Sequence, residues 1–185
     1  MRKIENIIKL SVGLVCIASI VAIVSNFILV PQIKTYYESN RSLVDEISVL
    51  HAETRLPIAV IENIKTQVEK DESVKMNDAL KNAYAKNKLI IQVNLKKFNK
   101  LYGELGDNLI KIDKQTLGRH SNNLAPMKST VDELTDKIND INSTVSVAYI
   151  VDTDVEKLAK LFIEQDNSIK NLIEYQKNIE NLMVK

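Results

Sequence analysis

The distribution of apolar residues divides this chain into one uninterrupted apolar segment and a longer remainder with helical periodicity. Residues 10–30, LSVGLVCIASIVAIVSNFILV, contain no charged side chain. A run of about 20 apolar residues, rising 1.5 Å each, covers the roughly 30 Å hydrocarbon core of a bilayer. We therefore predict one transmembrane helix from Leu10 to Val30, with a short basic tail at 1–9 before it and a helical domain at 31–185 after it.

Three other interpretations of this segment are disfavoured. A cleaved signal peptide has an apolar region of only about 7–15 residues and small residues at its cleavage site. This run is longer and ends in the bulky residues Phe27 to Val30. The apolar character runs all the way round the helix, which disfavours a core helix with one polar face. Leu14 and Val15 stand before Cys16 where a lipoprotein signal needs small residues. The segment is thus predicted to be a signal-anchor.

The charges that flank the segment predict its orientation. Three basic residues precede it, opposed only by Glu5, and two follow it; they are Arg2, Lys3, Lys9, Lys34 and Arg41. Lys and Arg near the ends of a span favour the cytoplasmic side. We expect a cytoplasmic N-terminus and an extracytoplasmic C-terminal domain in a single-pass membrane protein.

The first part of the helical domain carries a heptad pattern. Apolar residues and one amide recur at spacings 3-4-3-4-3; these positions are Ile33, Tyr36, Asn40, Leu43, Ile47 and Leu50. This face is our candidate interface. It is typical of a parallel oligomeric stalk, in which a buried Asn40 would set register and oligomeric state. It is also typical of one amphipathic helix in an intramolecular bundle, an interpretation favoured slightly because Tyr37 and Val44 widen the stripe.

The rest of the domain is predicted to be all-α, a helical bundle or coiled-coil-like assembly. Glycine and proline are scarce, which favours long helices. We place helices at roughly 31–55, 58–103, 130–151 and 154–184. Pro57 is expected to end the first of them. The second could instead be two pieces divided by the charged stretch 69–72, with Ser73 capping the later piece.

The later helix boundaries rest on turn and capping signals. Gly103 and Gly106 are expected to end or break the second helix, and residues 107–128 are the least regular part of the pattern. Two capping boxes, Thr130 with Glu133 and Thr153 with Glu156, predict the next two helix starts. Residues 145–151, VSVAYIV, are the best strand candidate, but the 3-4 spacing favours a helix there. Gln165 and Gln176 interrupt the last apolar stripe, as in a small bundle or an oligomer interface.

No catalytic, cofactor or metal signature appears in the sequence. The two histidines, His51 and His120, are far apart and lack a nearby cysteine, so a metal site is not indicated. We expect His51 on a solvated helix face, and His120 in a surface loop where it could respond to pH. Asp152 and Asp154 lack the rest of a calcium loop. The net charge of +1 and the solvated lysines of 96–100 argue against nucleic acid.

These features favour a non-catalytic protein without a cofactor or an evident small-molecule substrate. The first hypothesis is a membrane-anchored scaffold or accessory subunit that binds a protein partner or oligomerises. The second is an extracytoplasmic sensor, because the architecture resembles the helical-bundle sensor regions of bacterial chemoreceptors, although no motif is shared. Without a second span or an output module in these residues, signalling would need a partner. The third is an anchored effector of exclusion, immunity or lysis control.

Overall fold

The computed structural model describes residues 15–21, 30–70, 77–147 and 149–183. Four long helices account for most of them: α1 (Val30–Lys70), α2 (Asp78–Gln115), α3 (Ser121–Val145) and α4 (Val155–Met183). A short 3₁₀ helix, Ile150–Asp152, lies between α3 and α4. The prediction of an all-α fold is confirmed for this part of the chain, which contains no strand.

The four helices form an up-down-up-down bundle in which each helix packs against the next and α4 closes the ring against α1. Side-chain hydrogen bonds fix the antiparallel register of α1 and α2. Asn94 Nδ2 donates to Thr54 Oγ1 at 3.0 Å, and Asn108 Nδ2 donates to Ser39 Oγ at 3.1 Å. Near the start of α4, Lys157 N donates to the side chain of Asp154, which caps the helix. The helical bundle predicted from the sequence is thus closed within one chain.

The bundle core explains why these long amphipathic segments fold together. Each helix contributes a stripe of buried aliphatic or aromatic side chains, and the largest fully buried ones are Phe98 and Tyr102 on α2. Burial of one large apolar side chain contributes about 1.5–3 kcal/mol, which offsets the modest helix propensity of an Asn-rich chain. Gln165 Nε2 donates to Tyr102 Oη at 3.3 Å, and Gln176 Nε2 donates to Tyr37 O at the same distance. The polar interruptions of α4 therefore lie inside the bundle.

The predicted helix end at Pro57 is wrong, because α1 continues through this proline to Lys70. A proline within a helix removes one backbone hydrogen bond and costs about 3 kcal/mol or more. The residues that follow offset this cost, since Ile58, Ile61 and Ile64 are all buried in the core. Packing of the second half of α1 therefore keeps the helix continuous through Pro57.

The single helix predicted at 58–103 is also wrong. Its first part belongs to α1 and its second part to α2, and the two lie side by side in opposite directions. The alternative prediction, two helical pieces divided near the charged stretch 69–72, agrees better with the structure. The predicted cap Ser73 lies outside the described residues, and the observed N-cap of α2 is Asn77, whose side chain accepts from Leu80 N at 3.0 Å.

The irregular stretch predicted at 107–128 is largely helical. The glycines at 103 and 106 do not end α2, which continues to Gln115 because Leu105, Leu109 and Ile112 are completely buried. Only a five-residue turn, 116–120, precedes α3. The predicted start at Thr130 is nine residues late. Burial of Leu124 and Met127 holds the first turns of α3 in the core despite Pro126.

The predicted helix 130–151 ends early, at Val145. Residues 146–147 and 149 do not continue the α-helix and form no strand, and Ile150–Asp152 is a 3₁₀ helix. The chain turns here because Tyr84 of α2 binds the connection: its Oη lies 3.0 Å from Thr153 Oγ1. Completely buried Ile150 anchors the same connection. The last predicted helix, 154–184, agrees within one residue with α4, although Asp154 rather than Thr153 supplies the cap.

Most of the predicted membrane segment lies outside the described residues. Of 10–30, the structure describes 15–21, which are helical, and Val30, where α1 begins. Within the described ranges, no helix has the length and apolar character required to cross a membrane.

Candidate functional site

The predicted interface face of α1 lies inside the bundle. Four of its residues, Asn40, Leu43, Ile47 and Leu50, are buried, and Ile33 and Tyr36 are half-buried. They share one face, and α1 packs against α2 and α4 of the same chain. A second copy could use this face only if the bundle opened.

Asn40, the predicted register residue, is fully buried. Neither its Nδ2 nor its Oδ1 has a hydrogen-bond partner among the described residues. An unpaired buried amide costs about 1–3 kcal/mol relative to a paired one. Asn40 is therefore a local weakness of the core.

A candidate site is formed by a groove between the first and last helices, which we call the α1–α4 groove. It has a volume of about 530 Å³ and is open to solvent on one side. Ile58 and Phe162 are its buried apolar floor, and Ile163 stands exposed at its edge. Charged side chains of both signs surround this apolar part: Arg55, Glu62, Asp166 and Lys170. The groove thus combines an apolar centre with a mixed polar rim, as binding surfaces do.

His51 lies at one end of the α1–α4 groove, and the prediction that it is solvated is wrong. Its ring stacks on Phe162 with 4.0 Å between centroids. Its Nε2 is 3.4 Å from Asp166 Oδ1, and its buried Nδ1 has no partner among the described residues. Burial lowers the pKa of His51, and the Asp166 carboxylate acts in the opposite direction. Removal from water therefore favours the neutral form of the imidazole.

The sequence did contain a signal for His51. A second 3-4-3-4-3 series runs along α1 beside the predicted face; its members are Val44, Ile47, His51, Thr54, Ile58 and Ile61. All of them are buried. A helix that contacts two neighbours buries a wider stripe than a two-stranded coiled coil does. This series predicts that His51 is buried and that α1 continues beyond Pro57.

The stability of the bundle is expected to decrease as the solution is acidified from neutral pH. His51 has a folded-state pKa below its unfolded value of about 6.5. Protonation therefore favours the unfolded chain, so this contribution is complete above about pH 6.5 and is lost as the pH falls through the folded pKa. Chemical unfolding followed by circular dichroism at pH 7.5, 6 and 5 measures the effect.

The matched variants are His51→Gln and His120→Gln. The first should flatten the dependence between pH 7.5 and 5, and the second should leave it as in the unaltered protein. An unchanged slope in His51→Gln would show that other groups carry the dependence. The Asp166 carboxyl responds in a separate window, because the hydrogen bond from Lys170 lowers its pKa below the usual value of 3.8.

Some of the charged side chains at the rim of the groove are already paired with each other, and others are not. Lys170 Nζ lies 2.6 Å from Asp166 Oδ2, so these two side chains neutralise each other. Glu62 is half-buried, and burial raises the pKa of its carboxyl. Arg55 is exposed and forms no ion pair within the described ranges. The guanidinium is thus available to bind a carboxylate on a ligand or partner.

None of the described side chains that line the groove is a Ser, Thr or Cys. The His51 ring instead faces Phe162 and the Asp166 carboxylate. In the described part of the chain, no three His, Cys, Asp or Glu residues are grouped as metal ligands. An apolar floor with charges at its rim can bind a ligand or partner by burial of apolar surface and by ion pairing.

The other residues considered from the sequence lie apart from the groove. His120 is in the turn before α3, and Asp152 is exposed at the opposite end of the bundle. Lys96, Lys97 and Lys100 are exposed while Phe98 and Tyr102 are buried, as predicted for a solvated face over a core stripe.

Comparison with protein-family models, with curated proteins and with solved structures gave no match to this chain.

Proposed function

We propose that this protein is a membrane-anchored, non-catalytic helical domain that binds a protein partner through the α1–α4 groove. The observation that supports this proposal is the groove itself: an apolar floor, an exposed Ile163 and a charged rim on a bundle whose heptad faces are already buried. The scaffold or accessory-subunit hypothesis then depends on outward surfaces. The face Ile33–Leu50 is left with a structural role inside the chain.

A protein partner suits the groove better than a small molecule. Small-molecule sites enclose about 70–90% of their ligand, whereas this groove is open on one side. A groove between two antiparallel helices fits an amphipathic helix, which places apolar side chains on the floor and charges at the rim. Glu62 and Arg55 provide both signs of charge for recognition.

A charge introduced at the exposed edge of the groove should strongly weaken partner binding. Ile163→Glu places a carboxylate beside Phe162 where a partner's apolar side chain would pack, and an unpaired charge in a desolvated contact costs several kcal/mol. We expect a stoichiometric partner to co-purify with the detergent-solubilised protein, and its yield to fall at least about tenfold in this variant.

The control is Leu89→Glu, which changes an equally exposed leucine on α2, away from the groove. This variant should retain the partner. Equal loss in both variants would assign the effect to surface charge in general. Absence of any stoichiometric partner would count against the proposed function.

We further propose that residues 10–30 are a transmembrane anchor that lies in the lipid bilayer and holds the bundle next to it. The described part of this segment supports the proposal: residues 15–21 are helical, and Val15, Ile17, Ile20 and Val21 are 58–64% exposed. A continuous exposed apolar surface of this kind indicates a membrane or protein contact.

A charge in the middle of the segment should release the protein from membranes. Aspartate at the centre of a transmembrane helix costs about 2.5–3.5 kcal/mol on insertion scales. We expect the unaltered protein to remain in the membrane pellet after alkaline carbonate washing, and Ile20→Asp to appear largely in the supernatant. Val49→Asp, at an exposed position of α1, should stay in the pellet. Extraction of the unaltered protein would exclude the anchor.

The basic residues 2, 3 and 9 support the proposal of a cytoplasmic N-terminus with the bundle on the opposite side of the membrane. In a protein with Cys16 replaced by Ser, a membrane-impermeant maleimide should label Ser129→Cys in intact cells but not Lys3→Cys. The reverse pattern would invert the topology.

A second candidate function is a ligand sensor, favoured by the buried His51 beside Asp166 in the groove. A ligand with a carboxylate and an apolar group would contact Arg55 and Phe162. A thermal-shift series with small carboxylic acids distinguishes the two candidates. A shift that Arg55→Gln removes would favour the sensor, whereas a flat response would favour the protein-binding function.

A further inference from the structure

The end of the bundle at which α1 begins carries the exposed turn 116–120 between α2 and α3. Leu117, at the tip, is 85% exposed and has a φ of 51°. Left-handed backbone is unfavourable for a residue with a side chain, and Gly or Asn ordinarily occupies such positions. In water alone, neither the apolar side chain nor the backbone conformation favours a leucine here, so its presence indicates a contact beyond the bundle.

The turn is held rigidly. Gly118, with a φ of 74°, donates its backbone N–H to Asp113 O at 2.9 Å. The Asp113 carboxylate accepts from Ser121 Oγ at 2.5 Å and from Lys128 Nζ at 2.9 Å, which ties both sides of the turn together. Leu117 is therefore presented in a fixed direction.

The turn lies beside the proposed anchor. Gln115 Nε2 donates to Gln32 Oε1 at 3.1 Å, which places the end of α2 level with the start of α1. Beyond this level, Leu117 and His120 line one cavity with Val21 and Val30 of the predicted span. A bilayer that surrounds the span would therefore meet the turn.

The charge around the turn favours an anionic surface. Lys114 and Arg119 are exposed and form no ion pair in the described part of the chain. The nearby carboxylates are occupied, since Glu38 pairs with Lys34 at 3.8 Å and Asp113 pairs with Lys128. Lipid phosphates would supply the missing partners.

We propose that residues 114–120 form a bilayer-docking turn, in which Leu117 enters the lipid–water interface and Lys114 and Arg119 bind lipid phosphates. This inference rests on the proposed anchor. The span alone leaves the bundle free to tilt, and a second contact holds its axis away from the membrane plane. The α1–α4 groove then stays accessible from the aqueous side.

The absence of tryptophan from the sequence permits a direct test. Leu117→Trp in the full-length protein, reconstituted in vesicles that contain anionic phospholipid, should give blue-shifted emission that brominated lipids quench. Tyr149→Trp is the control, because Tyr149 is exposed at the far end of the bundle. Its neighbour Val151 contacts Lys65, roughly 50 Å along α1 from Gln32 at 1.5 Å per residue. The Tyr149→Trp variant should emit as tryptophan does in water.

Two further variants keep the test decisive. Thr116→Trp places the probe at an ordinary φ of −85° and should also be quenched. Adding Lys114→Gln and Arg119→Gln should lower the ratio of docked to free turns about fivefold for each positive charge removed, and raising the salt concentration should also lower this ratio.

The pattern of quenching distinguishes the possible arrangements of the bundle relative to the membrane. Quenching of the Leu117→Trp and Thr116→Trp variants but not of Tyr149→Trp supports the proposal. Quenching at both ends of the bundle overturns it, because the bundle would then lie along the membrane. A vesicle-bound, carbonate-resistant protein in which neither probe of the turn is quenched overturns the docking turn alone. A protein that does not remain with the vesicles removes the anchor and the docking turn together.

Discussion

Ile47→Ala is expected to lower the free energy of unfolding by about 2–5 kcal/mol without changing the mass of the protein in solution. Ile47 has no exposed surface and belongs to both 3-4 series of α1. Removal of three carbon atoms from this position leaves a cavity between α1 and its neighbours α2 and α4. Urea unfolding by circular dichroism gives the free energy, and light scattering gives the mass of the detergent-solubilised protein.

The comparison with Val49→Ala makes this result specific. Val49 lies two residues away on the same helix and is 59% exposed. Substitution at an exposed position without special contacts changes stability by no more than about 0.5 kcal/mol. If Ile47→Ala instead dissociated an oligomer, the face Ile33–Leu50 would be an intermolecular interface, as the stalk hypothesis requires. A small effect in both variants would contradict the closed core.

The sequence predicted the helical class and the shared face of α1 because both depend on local periodicity. Ile33 to Leu50 repeat every three or four residues, and side chains at that spacing share a helix face in any assembly. The pattern does not state what the face contacts. An intramolecular bundle and a parallel oligomeric stalk would bury the same residues of α1. Only the positions of α2 and α4 show that the face is buried within one chain.

The helix boundaries were predicted less well because local signals competed with packing. Pro57 and Pro126 each favour a helix end, yet both lie within helices. The turns after Pro57 carry buried residues, and so does the turn before Pro126. In contrast, the connection after Val145 has no strong breaker, and the chain turns there because Tyr84, far away in sequence, binds Thr153. Contacts between distant residues thus override propensity in both directions.

The α1–α4 groove was not predictable from spacing alone. His51 and Asp166 are separated by most of the chain, and only the closure of α4 on α1 brings them to 3.4 Å. The second series that contains His51 predicts its burial but not its stacking partner. A candidate site formed by residues from the first and last helices requires the tertiary arrangement before its chemistry can be considered.

Asn40→Leu is expected to increase the free energy of unfolding by about 1–3 kcal/mol. The fully buried amide of Asn40 has no partner among the described residues. Leucine has the same branched shape at Cγ without the cost of removing polar atoms from water. Urea unfolding of the detergent-solubilised protein measures the change, and light scattering of the same samples shows whether the oligomeric state changes with it.

The control for Asn40→Leu is Asn94→Leu on α2. Asn94 is also buried, but its Nδ2 donates to Thr54 Oγ1 at 3.0 Å, so the same substitution removes an interhelical hydrogen bond and should cost about 1 kcal/mol. Opposite signs at the two positions would show that burial alone does not determine the effect. If Asn40→Leu destabilised the bundle or changed its mass, the amide would have a partner in the working assembly. The register role predicted for Asn40 would then belong to an intermolecular contact that a single chain does not contain.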